Sequence, residues 1–142
     1  MKIYIASSWK NEKTVNQMSN VLRSNGNEVD AFSDTSTGRY VFHFSEIGPK
    51  DNLDAISFLK DSRSQKAFRE DKKWLDWCEA CLLILPAGKS SHLEAGYAKG
   101  TGKLLVIYHP NGFPNGEFDV MYGFADFMCE DMHSVLDYFS GR

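Results

Sequence analysis

No stretch of this chain approaches the ~18–20 consecutive apolar residues that a membrane-spanning helix requires. Positive charge is in short supply too. Sixteen Lys and Arg against nineteen Asp and Glu leave a net charge of −3, and the pI is ≈ 5.8. Duplex nucleic acid as a main partner demands a basic face, so this balance argues against it. Cysteine is sparse, with three in the chain; an odd number cannot all pair, and a disulfide framework is not expected. The opening "MKIYIASS" has one Lys and a short apolar run, which reads as a strand and not as a signal peptide. A soluble, cytoplasmic protein without a membrane or nucleic-acid partner is the default expectation.

The cysteines do contain one metal-like pattern. Cys78 and Cys81 form C-x-x-C, and Cys129 with His133 forms C-x-x-x-H, a combination that could mimic a zinc set. The two halves lie far apart, however, and the first runs straight into "CLLILP", a buried strand. Small buried hydrophobes are the preferred reading, and no metal or other cofactor is expected.

A second absence concerns "LPAGKSSHLEAGYAKGTGK", Leu85 to Lys103, where Gly-Lys-Ser invites a P-loop reading. That motif needs a glycine five positions before the second one, and Leu83 stands there. Gly96, Gly100 and Gly102 do not make a dinucleotide fingerprint either, since they lie within or after a helix instead of opening it.

What is present is an alternation of strand-like and helix-like segments in a chain of 142 residues, the size of one domain. Strands are predicted at Lys2–Ala6, Val29–Phe32, "ACLLILP" and Lys103–His109. Helices are predicted over Asn11–Ser24, where Val15, Met18, Val21 and Leu22 have helical spacing, over Leu53–Glu79 with a break near Asp61–Ser64, over Ser91–Gly100 and over His133–Phe139. A short element is predicted around Val120–Phe127. "RYVFHF", Arg39 to Phe44, reads as a short strand, a lid or an oligomer contact, and the sequence does not choose. Buried, unbroken strands alternating with helices predict a single-domain α/β protein spanning 1–142. Its fold would be a Rossmann-like or flavodoxin-like three-layer sandwich with a mainly parallel sheet of about five strands. Ligands in such folds sit beyond the carboxyl ends of the strands, which selects Ser7-Ser8-Trp9 and Pro86–Ser91.

Ser91-His92-Leu93-Glu94 is a literal S-x-x-E capping box, which gives Glu94 a purely structural reading. Against it, Glu94 belongs to the first turn of a helix that follows the best core strand. Gly96 and Gly100 are expected to let that helix lie tightly on the sheet, and its N-terminus favours an anion.

The tail of this segment, Glu94-Ala95-Gly96-Tyr97-Ala98-Lys99-Gly100-Thr101-Gly102-Lys103, resembles the signature of the nucleoside 2-deoxyribosyltransferase-like superfamily, which includes 2′-deoxynucleoside 5′-monophosphate N-glycosidases. "MKIYIASSW" is similar to that family's first strand, "FRED" to its Phe-x-x-Asp, and "EFDVMYGFAD" to its Met-Tyr segment near the C-terminus. Ser33–Gln65 has no placed counterpart and is expected to shape the substrate pocket. The resemblance implies cleavage of an N-glycosidic bond in a (deoxy)nucleoside or its 5′-monophosphate, with Glu94 as the nucleophile that forms a covalent glycosyl intermediate. It implies Asp71 as the proton donor to the base and Tyr4 as the group that orients Glu94 through a hydrogen bond. Ser7, Ser8, Gly88, Ser90, Ser91 and His92 are then candidates for a phosphate or hydroxyl, and Trp9 for stacking on the base. Met121 and Tyr122 are implied to reach a neighbouring subunit's site in a homodimer or larger homo-oligomer. Hydrolysis and transfer to a second base stay open, as do a non-catalytic nucleotide-binding module and an NAD-cleaving enzyme.

Overall fold

The computed structural model describes residues 1–48 and 52–142. Five strands, β1 (Lys2–Ser7), β2 (Glu28–Ala31), β3 (Ala80–Ile84), β4 (Leu104–Tyr108) and β5 (Phe127–Cys129), alternate with α1 (Glu12–Ser24), α2 (Ala55–Lys60), α3 (Ser62–Trp77), α4 (Lys89–Gly100) and α5 (Met132–Ser140). The strands form one sheet in the order β2-β1-β3-β4-β5, and every pairing is parallel. This is a Rossmann-like three-layer sandwich with the flavodoxin-type strand order.

Strand composition explains the order. Every residue of β3 is buried, as a central strand covered on both faces requires. Alternate residues then sort to two faces. Ile3, Ile5, Val29, Leu82, Ile84 and Val106 pack with Val15, Met18 and Leu22 of α1 and with Val135 and Phe139 of α5. Tyr4, Ala6, Cys81, Leu83 and Ile107 pack beneath α3 and α4, with Leu75, Ala95 and Ala98. Each fully buried aliphatic side chain contributes roughly 1.5–3 kcal/mol.

Turn chemistry closes the helices. Gly26 at the end of α1 and Gly102 after α4 adopt φ of 89° and 90°, the left-handed conformation that lets the chain turn back into a strand. Asp61 separates α2 from α3: its extended backbone ends one helix, and its carboxylate accepts from the Arg63 amide at 2.8 Å to start the next.

The C-terminal element expected over Val120–Phe127 divides into a 3-10 turn at Val120–Phe124 and the edge strand β5. Asp126 makes the division. Its amide donates to the Leu105 carbonyl at 2.8 Å, its carboxylate accepts from the Leu105 amide at 2.8 Å, and Lys99 pairs with it at 2.7 Å. "RYVFHF" is not a strand: Arg39–His43 is irregular, and a 3-10 turn begins at Phe44. Among the described residues no helix is long and apolar enough to cross a membrane.

The order of strands creates the site. From β1 the chain moves outward to β2, then crosses back over β1 to β3. The loops leaving the carboxyl ends of β1 and β3 therefore diverge, and a crevice opens between them.

Candidate active site

A cleft of ≈ 450 Å³ occupies this crevice. Its floor and one wall come from the β1 loop (Ser7, Ser8, Trp9) with Tyr4 beneath, and a second wall comes from the start of α4 (Gly88, Ser90, Ser91, Glu94). Asp71 of α3 enters from the sheet face, and Arg39–His43 runs along the remaining side.

The two strand-end loops are tied to each other. The Ser7 hydroxyl donates to the Ile84 carbonyl at 2.8 Å, while Asn11 donates to the Ser7 hydroxyl at 3.0 Å and to the Pro86 carbonyl at 2.7 Å. Ser7 is thus held by the scaffold. Ser8 accepts from the Lys10 amide at 3.2 Å and caps the short turn that carries Trp9. The Trp9 ring meets Phe32 edge-on at 4.7 Å and lies 5.1 Å from the His43 ring. These rings make an aromatic side to the cleft with Trp9 itself 39% exposed, a surface suited to a flat heterocycle.

Helix α4 begins two residues earlier than expected, because Gly88 in an extended conformation serves as its N-cap. Ser91 therefore falls inside the first turn and the Ser91–Glu94 capping box does not form; no side chain caps this helix. Gly96 and Gly100 also do not press against the sheet. A Cβ at either would meet open space, and Ala95 and Ala98 make the contact instead.

Glu94 is consequently free of the cap. Burial alone pushes its carboxyl up from 4.5 to about 8, since no cation or hydrogen bond acts to stabilise the charged form. The hydrogen bond expected from Tyr4 to Glu94 is not formed, although both residues line the cleft. Asp71 keeps 45% of its side-chain surface in the open and pairs with Arg39 Nη1 at 2.9 Å. Burial lifts its carboxyl above the usual value more than the Arg39 cation lowers it, and Glu70 adds to the rise.

Three candidates lie elsewhere. His92 turns away from the cleft: its Nδ1–H donates to the Gly88 carbonyl at 2.7 Å, which leaves Nε2 to accept from the Tyr122 hydroxyl at 3.0 Å. Tyr122 stacks on that imidazole and borders a separate cavity, while Met121 is exposed. Arg39 and His43, in the segment expected to shape the pocket, line the cleft together with Phe32 from the end of β2. No motif marks any of the three as a site residue, so only their spatial neighbours disclose them.

Cys78, Cys81 and Cys129 are free and buried. Burial pushes the Cys78 and Cys129 thiols up to about 11 and raises Cys81 as well. Among the described residues no three His, Cys, Asp or Glu side chains converge to hold a metal.

No protein-family model and no curated protein matches the sequence. Solved structures do. The 2-deoxyribosyltransferase of the psychrotolerant bacterium Bacillus psychrosaccharolyticus aligns over 99% of this chain and 95% of its own, with a TM-score of 0.72 and 20% identity. The CMP N-glycosidase of Clostridium botulinum aligns over 97% of this chain and 96% of its own, with a TM-score of 0.57 and 12% identity. The chain thus shares a fold with these enzymes along almost their whole length.

Proposed function

We propose that the protein belongs to the nucleoside 2-deoxyribosyltransferase-like superfamily and cleaves the N-glycosidic bond of a (deoxy)nucleoside or its 5′-monophosphate. The observation that carries this reading is the placement of two carboxyl groups, Glu94 of α4 and Asp71 of α3, in the lining of one cleft at the switch point. Two carboxyl groups with separate environments are what a retaining glycosyl transfer requires. The shared fold with a deoxyribosyltransferase and a CMP N-glycosidase supports it.

In this reading the base lies against Trp9 and His43. The ionised Glu94 carboxylate attacks the anomeric carbon, forming a C–O bond as the C–N bond breaks. The bonding pair leaves with the base nitrogen, and Asp71 delivers a proton to the base. Water or a second base then attacks the same carbon and releases Glu94. Lys10, Lys89 and the free amides of the first turn of α4 border the cleft and suit an anionic 5′-phosphate. Tyr4, whose side chain lies under the cleft, positions the sugar side of the substrate. Phe118, Val120, Met121, Phe124 and Met128 leave large apolar surfaces exposed on one segment; a second copy of this chain is the partner proposed to cover them.

The test is chromatography of nucleosides, 5′-mononucleotides and NAD after incubation with the protein, with and without a second free base. Release of free base that is abolished in Glu94→Ala is the expected result. No release from any substrate at high protein concentration, or release undiminished in Glu94→Ala, overturns the proposal.

A further inference from the structure

Asp30, Arg39 and Asp71 come from three distant parts of the chain: β2, the irregular segment after it, and the middle of α3. The register pairs Asp30 with Tyr4, so both side chains leave the sheet on the face that α3 and α4 cover. A carboxylate there is stripped of water, and burial lifts Asp30 to about 6 despite its cationic neighbour. Arg39 is that neighbour. Its Nε donates to Asp30 Oδ1 at 3.0 Å and its Nη1 pairs with Asp71 Oδ1 at 2.9 Å. The side chains of Arg39 and Asp30 are 1% and 4% exposed.

A buried ion pair is a poor source of net stability, because desolvation offsets most of the attraction. What it does supply is geometry. The guanidinium is a rigid planar fork, and its separate nitrogens can grip two carboxylates at a set spacing. One prong is fixed in the core by Asp30, and the other holds a carboxylate whose remaining surface faces the cleft. Arg39 also begins the run Arg39–His43 that lines that cleft, so the same anchor fixes the wall on which the base is proposed to rest.

We propose that Arg39 is a positioning residue: anchored by Asp30, it holds the Asp71 carboxylate in place for proton delivery and pins the Arg39–His43 wall beside it. The inference rests on the reading of the cleft as an N-glycosidic site. The charged groups around Asp71 are Arg39 from the loop, with Asp30 of β2 behind it, Glu70 on α3, and Glu94 of α4 lining the same cleft. Arg39 lowers the Asp71 carboxyl by charge and by hydrogen bond, so its removal raises that carboxyl further.

The experiment compares the wild type with Arg39→Gln, Arg39→Lys and the double variant Asp30→Asn/Arg39→Gln. Two readouts are needed: the Asp71 titration by ¹³C NMR, assigned with Asp71→Asn, and the pH profile of kcat and KM for base release. The double variant removes the anchor together with the cation, so no buried carboxylate is left unpaired at position 30. The expected result is an upward move of the Asp71 titration and of the acid–base limb of the profile in both Gln variants. A loss of ~10²-fold in kcat with a smaller change in KM should accompany it. Lys keeps the charge without the fork and restores the titration better than the rate. A folded double variant with the wild-type Asp71 titration and pH profile would overturn the proposal. If the wild type releases base from no substrate, the N-glycosidic reading falls, while the NMR titration still decides whether Arg39 governs Asp71.

Discussion

Replacing Glu94 by Gln should separate the cost of this carboxyl to the fold from its use in chemistry. Its ordinary value is 4.5, and burial in the folded protein holds it at about 8. Below pH 4.5 the group is protonated in both folded and unfolded chains, and its titration costs nothing. Between 4.5 and about 8 the unfolded chain releases the proton while the folded one retains it. The unfolded state then binds fewer protons, so stability falls as pH rises, and the loss is complete once the folded group ionises as well. The full difference corresponds to roughly 5 kcal/mol. Water entering the open cleft trims it, and a loss of at least about 2 kcal/mol is expected. Glutamine has the shape of the protonated acid and cannot ionise, so Glu94→Gln escapes this loss. Urea unfolding of both proteins at pH 4, 7 and 9 checks the point, because every other titrating group is common to the two. The variant should match the wild type near pH 4, exceed it at pH 9 by at least that margin, and release no base. A stability difference that does not change with pH, or a wild type more stable than the variant at pH 9, would refute the reasoning.

Two further outcomes follow from the same geometry. Asn11→Ala removes the hydrogen bond to the Pro86 carbonyl that joins the β1 and β3 loops, and the one to Ser7 that steadies the β1 loop; it should cost about 1–2 kcal/mol in urea unfolding and raise KM more than it lowers kcat. Val120→Glu puts a charge on an exposed apolar segment and should leave secondary structure intact while shifting the species seen by light scattering from an oligomer to a monomer. A wild type that is already monomeric would count against the second-copy proposal.

The scaffold was legible because its signals are local and periodic. The short unbroken apolar "ACLLIL", closed by Pro86, reads as a strand covered on both faces, and Val15, Met18 and Leu22 repeat at helical spacing on the side that meets the sheet. The crevice followed from the alternation of strands and helices, since loops at the carboxyl ends of parallel strands must gather on one side. That Glu94 stands at the cleft was legible from its place after the core strand, yet α4 starts at Lys89 and not at Ser91. Gly88, extended and without a side chain, caps α4, and no pattern distinguishes that start from the S-x-x-E box two residues later.

The aromatic segment shows the opposite case. Nothing in the order Arg39-Tyr40-Val41-Phe42-His43 says that its arginine lies in the core, because the partners that neutralise it are Asp30 and Asp71, nine and thirty-two positions away. The sequence by itself determined the layered parallel architecture and where its cleft opens, since both depend on periodicity and chain order. Tertiary structure alone decided that Glu94 is uncapped and raised to about 8, that His92 faces Tyr122, and that Arg39 links a buried aspartate to the cleft. Desolvation and ion pairing depend on distances through space, and those come into being only when the chain has closed on itself.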